Sequence, residues 1–396
     1  MTQRPLFLQY IAQTSPTPIG IEAERAEGIY IYDRTGRRYV DLIAGVAVSN
    51  VGHCHPKVVA AVQAQAARYM HLMVYGEYIQ SPQVLFAQAL AGVLPASLDC
   101  VYFVNSGAEA NEGALKLAKR YTGRTEIVAF RQAYHGGTHG ALSATGDETL
   151  RNAFRPLLPD VRYLSFNAFD ELSQITVRTA CVIVEPVQGE AGVRLPTAGY
   201  LQALQARCRE VGALLVFDEV QTGFGRTGAW FAAERYGITP DIITLAKAMG
   251  GGMPLGAFVA PGEKMSVLQS RPALGHITTL GGHPVSCAAA LAAYQVLRDE
   301  NRLAEVADKA ALFRRYLQHA AIREIRGEGL MMAVELGDAA LLQRVVAALL
   351  QNGIITEWFL FCNTAFRIAP PLVISHEEIE DACRIIQHVL TRMMNE

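Results

Sequence analysis

This sequence predicts an α/β protein: one large, mainly parallel sheet covered by helices, with a smaller α+β unit beside it. Three observations carry the prediction. From about Cys100 to Ala260, short continuous apolar runs alternate with stretches of helical pattern. After about Leu297 that alternation gives way to mixed strand and helix signals. The chain of 396 residues, 51% of them hydrophobic, is also too long for one simple core and too apolar to be disordered.

In chain order, residues 28–33 and 37–42 are short β-runs flanking Arg34-Thr35-Gly36, a hairpin signal. Pro56 to about Met70 has a helical pattern. Ser81-Pro82 offers an N-cap with proline at the first helical position, for a helix reaching about Val93. Six apolar runs follow, at 101–104, 127–130, 181–184, 214–217, 242–246 and 255–260. Without polar alternation they predict strands buried on both faces, as in a parallel sheet. Farther on, residues 326–336 contain a strand, a helix spans about Ala339 to Gln351, and 366–374 is extended. Ser375-His-Glu-Glu378 reads as a capping box, heading a helix with Ile379, Ala382, Ile386, Val389 and Met393 on one face. The expected division is a segment 1–45 packing with the small unit, a large domain 46–297 and a small C-terminal domain 298–396.

Charge and cysteines exclude several classes. With 35 Lys and Arg against 37 Asp and Glu, and no basic run, a nucleic-acid partner is not expected. The seven cysteines are scattered without CxxC spacing, which reads as reduced thiols, with neither a disulfide framework nor a metal site. Met1-Thr-Gln-Arg-Pro5 lacks a signal-peptide pattern, and apolar stretches such as 287–293 are too short to span a bilayer. The expectation is a cytoplasmic protein without a membrane partner.

Lys247 follows the apolar run 242–246 and precedes Gly250-Gly251-Gly252. A buried amine loses hydration, its pKa falls, and it becomes able to attack a carbonyl and form a Schiff base. The same local pattern fits a lysine that snorkels to water. Ser106-Gly107-Ala108 stands between an apolar run and a long helical pattern ending near Gly123, a place for an anion at a helix N-terminus or for an ordinary N-cap. It is not the GxxxxGK[ST] loop of nucleoside triphosphate sites. Asp218 and Glu219 end the run 214–217, where open α/β sheets place ligands. An acid there suits a protonated ring nitrogen, with Gln221 in reach of a phenolic oxygen; a loop carboxylate fits equally. Tyr134-His135-Gly136-Gly137 suits a ring stacked on a planar ligand, or a tyrosine beside a turn. Thr278 and Thr279 offer hydroxyls to a phosphate, or form a polar turn. One ligand answers all of these pieces: planar, phosphorylated, with a pyridine nitrogen and an aldehyde. Pyridoxal 5′-phosphate (PLP) fits.

The stretches Asn105-Ser-Gly-Ala-Glu-Ala-Asn111, Glu185-Pro-Val-Gln-Gly-Glu-Ala-Gly192, Asp218-Glu-Val-Gln-Thr-Gly-Phe-Gly-Arg-Thr-Gly228 and Leu245-Ala-Lys247 are highly specific in combination. Through them the chain, from roughly residue 28 to 372, resembles the class III (ornithine/acetylornithine/4-aminobutyrate) aminotransferases of fold type I. The resemblance implies a seven-stranded, mainly parallel sheet, with Lys247 as Schiff-base lysine and Asp218 on the pyridine nitrogen. It implies Gln221 at the phenolic oxygen and Tyr134 on the ring, beside His135. Ser106, Gly107 and Ala108 would hold the phosphate, and a homodimer would supply Thr279 from the partner subunit. On the substrate side it implies Thr278 and a Glu190–Arg367 pair. Glu190 would cover Arg367 while an amine donor is bound and swing aside for the carboxylate of 2-oxoglutarate, the acceptor. The expected reaction moves a terminal or ω-amino group to that oxo acid.

Two positions depart from the acetylornithine pattern. Gly137 stands where those enzymes carry an arginine for a substrate carboxylate, and Ser49 where they carry asparagine. The first leaves room for ω-amino acids or diamines. A racemase, aminomutase or decarboxylase on the same scaffold shares the cofactor residues, and a non-catalytic PLP-binding subunit is a rival from another class.

Overall fold

The computed structural model describes residues 2–395. Its central sheet has seven strands, in the order Cys100–Val104, Gly256–Ala260, Ile242–Leu245, Leu214–Asp218, Thr179–Val184, Glu126–Phe130, Val161–Leu164. Gly256–Ala260 runs antiparallel to both of its neighbours, and the remaining pairs are parallel. Every residue of the five inner strands is buried. Successive residues enter different cores: Ile127, Ile183 and Val216 face one, Val128, Val184 and Phe217 the other. That two-sided burial is why these runs are apolar without alternation.

The seventh strand, Val161–Leu164, produced no such run. It lies at a sheet edge, where Arg162 is exposed and only Leu164 is buried. A second correction concerns residues 326–336, which form a hairpin of two strands, Glu324–Glu328 and Met331–Glu335. The turn depends on Gly329, whose φ is +55° and where an added Cβ would meet the Arg226 carbonyl at 2.6 Å. This hairpin continues through Cys362–Ile368 to Trp358–Phe359, all antiparallel.

Tyr30–Asp33 and Arg38–Asp41 pair as the predicted hairpin, with Ala23–Glu27 outside them. Ile354–Ile355 joins this sheet in parallel, placing Ile354 opposite Val40. The helix expected from Ser81 spans Ser81–Ala91, but Gln80 occupies its cap position, so the Ser81 hydroxyl does not cap it. At the C-terminus the capping box forms as read: Glu378 N–H donates to Ser375 Oγ at 3.1 Å, and Ser375 N–H to Glu378 Oε2 at 2.8 Å. It starts the helix His376–Asn395, which buries Ile379, Ala382, Ile386, Val389 and Met393. Among the described residues, no helix is long and apolar enough to cross a membrane.

Candidate active site

A cavity of about 500 Å³ brings together residues from the ends of Leu214–Asp218 and Ile242–Leu245, the start of Gly107–Thr122 and the loop 134–137. Lys247 lines it, opening a short 3-10 turn, Lys247–Gly250. Its φ of +49° is a left-handed conformation that costs a non-glycine residue on the order of 1–2 kcal/mol. Burial holds its ammonium below the usual lysine range, against the opposing pull of Glu190. A left-handed turn also shapes the opposite chain segment: Ala44, Gly45, Val46 and Ala47 all have φ between +49° and +63°. It delivers Val48 to the cavity wall.

Asp218 is the last residue of its strand and 4% exposed. Its Oδ2 accepts from Asn111 Nδ2 at 2.8 Å and pairs with His135 Nδ1 at 2.7 Å, while Oδ1 accepts from Val220 N–H at 3.1 Å. Asn111 commits its other amide hydrogen to the His135 carbonyl and accepts from the Thr244 hydroxyl at 2.7 Å. These bonds join two strands, a helix and a loop around one carboxylate. Glu185 performs a similar service: Oε1 accepts from Tyr134 N–H and Oε2 from Gly189 N–H, both at 2.9 Å. Burial pushes its carboxyl up to about 7.

Ser106 caps Gly107–Thr122, its Oγ accepting from Glu109 N–H at 3.2 Å. The amides of Gly107 and Ala108 come too early in the helix to have an intrahelical partner, which leaves them available to an anion. Here the chain is closely packed: an added Cβ at Gly136 would lie 2.6 Å from Ala108 Cβ.

Glu190 and Arg367 form a buried bidentate pair, Nη2 reaching the two carboxylate oxygens at 2.8 and 2.9 Å. Burial works against the Glu190 charge, but Arg367 outweighs it and holds the carboxyl below its usual range. Gln221 bridges the pair, donating to Glu190 Oε1 and accepting from Arg367 Nη1, each at 3.2 Å. Glu190 and Gln221 line the cavity, and Arg367 stands behind them.

A model of the family described as "Aminotransferase class-III" matches residues 10–390. The chain belongs to the class III aminotransferases. It is 41% identical to the acetylornithine aminotransferase of Methanothermobacter thermautotrophicus, over 97% of both chains. It is 40% identical to that of Methanosarcina mazei, over 92% of this chain and 90% of the relative. Among solved structures, the ornithine aminotransferase of Toxoplasma gondii superposes with a TM-score of 0.92 at 31% identity, covering 99% of this chain and 94% of that one. A transaminase from the marine bacterium Virgibacillus gives 0.94 at 25% identity, covering 99% of each. Another structure of the Toxoplasma enzyme has PLP at partial occupancy in its active site.

PLP is the cofactor of this aminotransferase, and the cavity's chemistry suits it. An amine, a buried carboxylate held by Asn111 and His135, and free helix N-terminal amides answer the cofactor's aldehyde, ring nitrogen and phosphate in turn. The cavity of the aminotransferase gathers Lys247, Asp218, Gln221, Tyr134, His135, Ser106, Gly107, Ala108 and Glu190, every one of them singled out in the sequence. It does not gather Thr278 or Thr279. The Thr278 hydroxyl accepts from Asn105 Nδ2 at 3.0 Å and borders a separate cavity, and Thr279 is exposed. Asn111 and Glu185 lay inside the quoted motifs without a role. A polar residue on the buried face of a helix that otherwise carries Ala110, Ala114 and Leu117 was the available signal for Asn111.

Proposed function

We propose that this aminotransferase carries a terminal or ω-amino group from a donor of the ornithine, N-acetylornithine, 4-aminobutyrate or diamine class to 2-oxoglutarate. The buried Glu190–Arg367 pair beside Lys247 is the observation that carries the reading. A guanidinium masked by a glutamate gives an amine donor a neutral wall. Unmasked, the same guanidinium grips a dicarboxylic acceptor with two hydrogen bonds.

PLP supplies an aldehyde that condenses with amines and a protonated pyridine ring that draws electrons from the substrate carbon. The chain's part is positioning and proton movement. Lys247 Nζ, its charge disfavoured by burial, would offer a neutral amine to that aldehyde and, once free of it, would hold and return a proton beside the substrate carbon. Asp218 would hold the protonated ring nitrogen, with Asn111 and His135 keeping Asp218 in place. Tyr134 would cover the ring, and Ser106, Gly107 and Ala108 would hold the phosphate.

A homodimer with Thr279 completing the partner's phosphate site accords with an exposed Thr279 among exposed Leu274, Ile277 and Leu280. Thr278, bonded to Asn105, would act on the substrate only indirectly. At Gly137 an added Cβ meets nothing within 4 Å, so the wall there is open and offers no cation to a donor's far carboxylate. Seven unpaired cysteines support a cytoplasmic enzyme.

Borohydride reduction of the holoenzyme followed by peptide mapping should fix the cofactor to Lys247 alone; label on another lysine refutes the assignment. A screen of ornithine, N-acetylornithine, 4-aminobutyrate, putrescine and lysine with 2-oxoglutarate or pyruvate should show turnover only when an oxo acid is present. Turnover without one would point to a racemase or decarboxylase instead.

A further inference from the structure

Arg367 has one side without a hydrogen bond. Nη2 serves Glu190 and Nη1 serves Gln221, but the buried Nε has no hydrogen-bond partner among the described residues. The nearest carboxylate on that side is Glu357, whose Oε1 stands 3.6 Å from Nε, an ion pair just outside hydrogen-bonding range. The backbone keeps them side by side: Arg367 N–H donates to the Glu357 carbonyl at 2.9 Å, and the Thr356 hydroxyl donates to the Arg367 carbonyl at 2.6 Å. Phe359, two residues on, lies under the guanidinium with 4.5 Å between Cζ and the ring centroid. The same short segment touches Glu190, whose Oε2 accepts from Leu360 N–H and whose carbonyl accepts from Phe361 N–H.

We propose that Glu357 is the second arm of the arginine switch: it retains Arg367 through Nε while the Nη edge exchanges Glu190 for the carboxylate of the oxo-acid acceptor. The inference rests on the acceptor reading of Arg367 given above. When Glu190 withdraws, Gln221 loses a partner as well, and Glu357 is the charged group left to keep the guanidinium from following. The exchange then conserves charge, because Arg367 stands between two carboxylates before and after. Burial raises the Glu357 carboxyl and Arg367 opposes that rise, so the two are electrostatically linked at their present separation. Glu357, with 30% of its side chain exposed, thus stands beside a buried arginine that Glu190 already pairs.

The test is titration calorimetry of the holoenzyme with glutarate, a five-carbon dicarboxylate with no oxo group to react. Glu357→Gln keeps an oxygen for Nε but removes the charge, and it should bind glutarate about fivefold more weakly than the unaltered enzyme; Glu357→Ala should lose about tenfold. In single-turnover measurements, Glu357→Gln should slow the oxo-acid half-reaction more than the amine half, through KM and not kcat. A purely structural role would lower both halves together and depress the melting temperature in step. Glutarate affinities within about twofold of the unaltered enzyme in both variants, or equal losses in the two halves, overturn the proposal. Arg367→Ala separates the two readings. If it still binds glutarate, both fail; if it loses glutarate while the Glu357 variants do not, only the role of Glu357 fails.

Discussion

Asn111 is a residue whose function comes entirely from its partners. It donates to Asp218 and to the His135 carbonyl and accepts from Thr244, so both amide hydrogens are committed. Asn111→Ala takes a donor from a buried carboxylate, which costs about 1.5–3 kcal/mol when the acceptor is charged. Because Asp218 is the proposed partner of the ring nitrogen, that loss should fall on cofactor affinity, weakening it roughly 10- to 100-fold. Equilibrium dialysis of PLP from the variant checks this, and unchanged affinity would remove Asn111 from the site. Lys247 and Asp218 directly follow apolar runs and Ser106 stands two residues past one, so strand direction delivers them to one edge. Glu185 also directly follows a run, but its partner and those of Asn111 were not legible. Asn111 meets Asp218 across 107 residues of sequence and Glu185 meets Tyr134 across 51, and local pattern carries no information at that range. Glu190 and Arg367, 177 residues apart, were paired through family resemblance and not through spacing.

Between elements, one close constraint lies where the helix Gly107–Thr122 crosses Gly256–Ala260. A Cβ added at Gly113 would stand 2.2 Å from the Phe258 ring, and Phe258 is fully buried. Alanine is the better helix former by about 1 kcal/mol, yet overpacking a closed core costs about 1–3 kcal/mol and the ring has nowhere to go. Overpacking wins, so Gly113→Ala should lower the melting temperature by a few degrees and, by tilting the helix start, weaken PLP binding. A variant melting at or above the unaltered enzyme would show that the helix shifts freely. Burial on both faces governs much of what the sequence declared, although the edge strand Cys100–Val104 is apolar enough to be read as well. Inner strands must be apolar on both faces and so were read directly. Val161–Leu164 has one partner and a solvent side, and Arg162 broke its signal. The turn at Gly329 was hidden because an apolar stretch, Leu330 to Val334, runs straight out of it. Ser81 was misplaced by one position, since proline is tolerated anywhere in the first turn.

At the scale of the whole molecule, buried acids set how stability responds to pH. Glu219 is fully buried under the helix Ala232–Tyr236, accepting from Ala232 N–H, Ala233 N–H and the Thr222 hydroxyl. Burial pushes its carboxyl up to about 7 from 4.5, although those bonds resist. The folded chain therefore binds a proton in this interval that the unfolded chain has released. Its contribution to stability is complete below pH 4.5 and declines as pH rises through 7, the reverse of a salt-bridged carboxylate. Glu305, held below its usual range by hydrogen bonding to Lys309, acts in the opposite sense: what it contributes is present above 4.5 and is lost in acid. Glu219→Gln removes this residue's share of the first slope, leaving the share of Glu185, and does not touch the second. Between pH 5 and 8 the variant should gain on the unaltered enzyme by about 1–3 kcal/mol in denaturant titrations, most of it before pH 7. A constant difference across that range would mean that Glu219 is ionised in the folded chain, held so by its three donors, and that burial does not win.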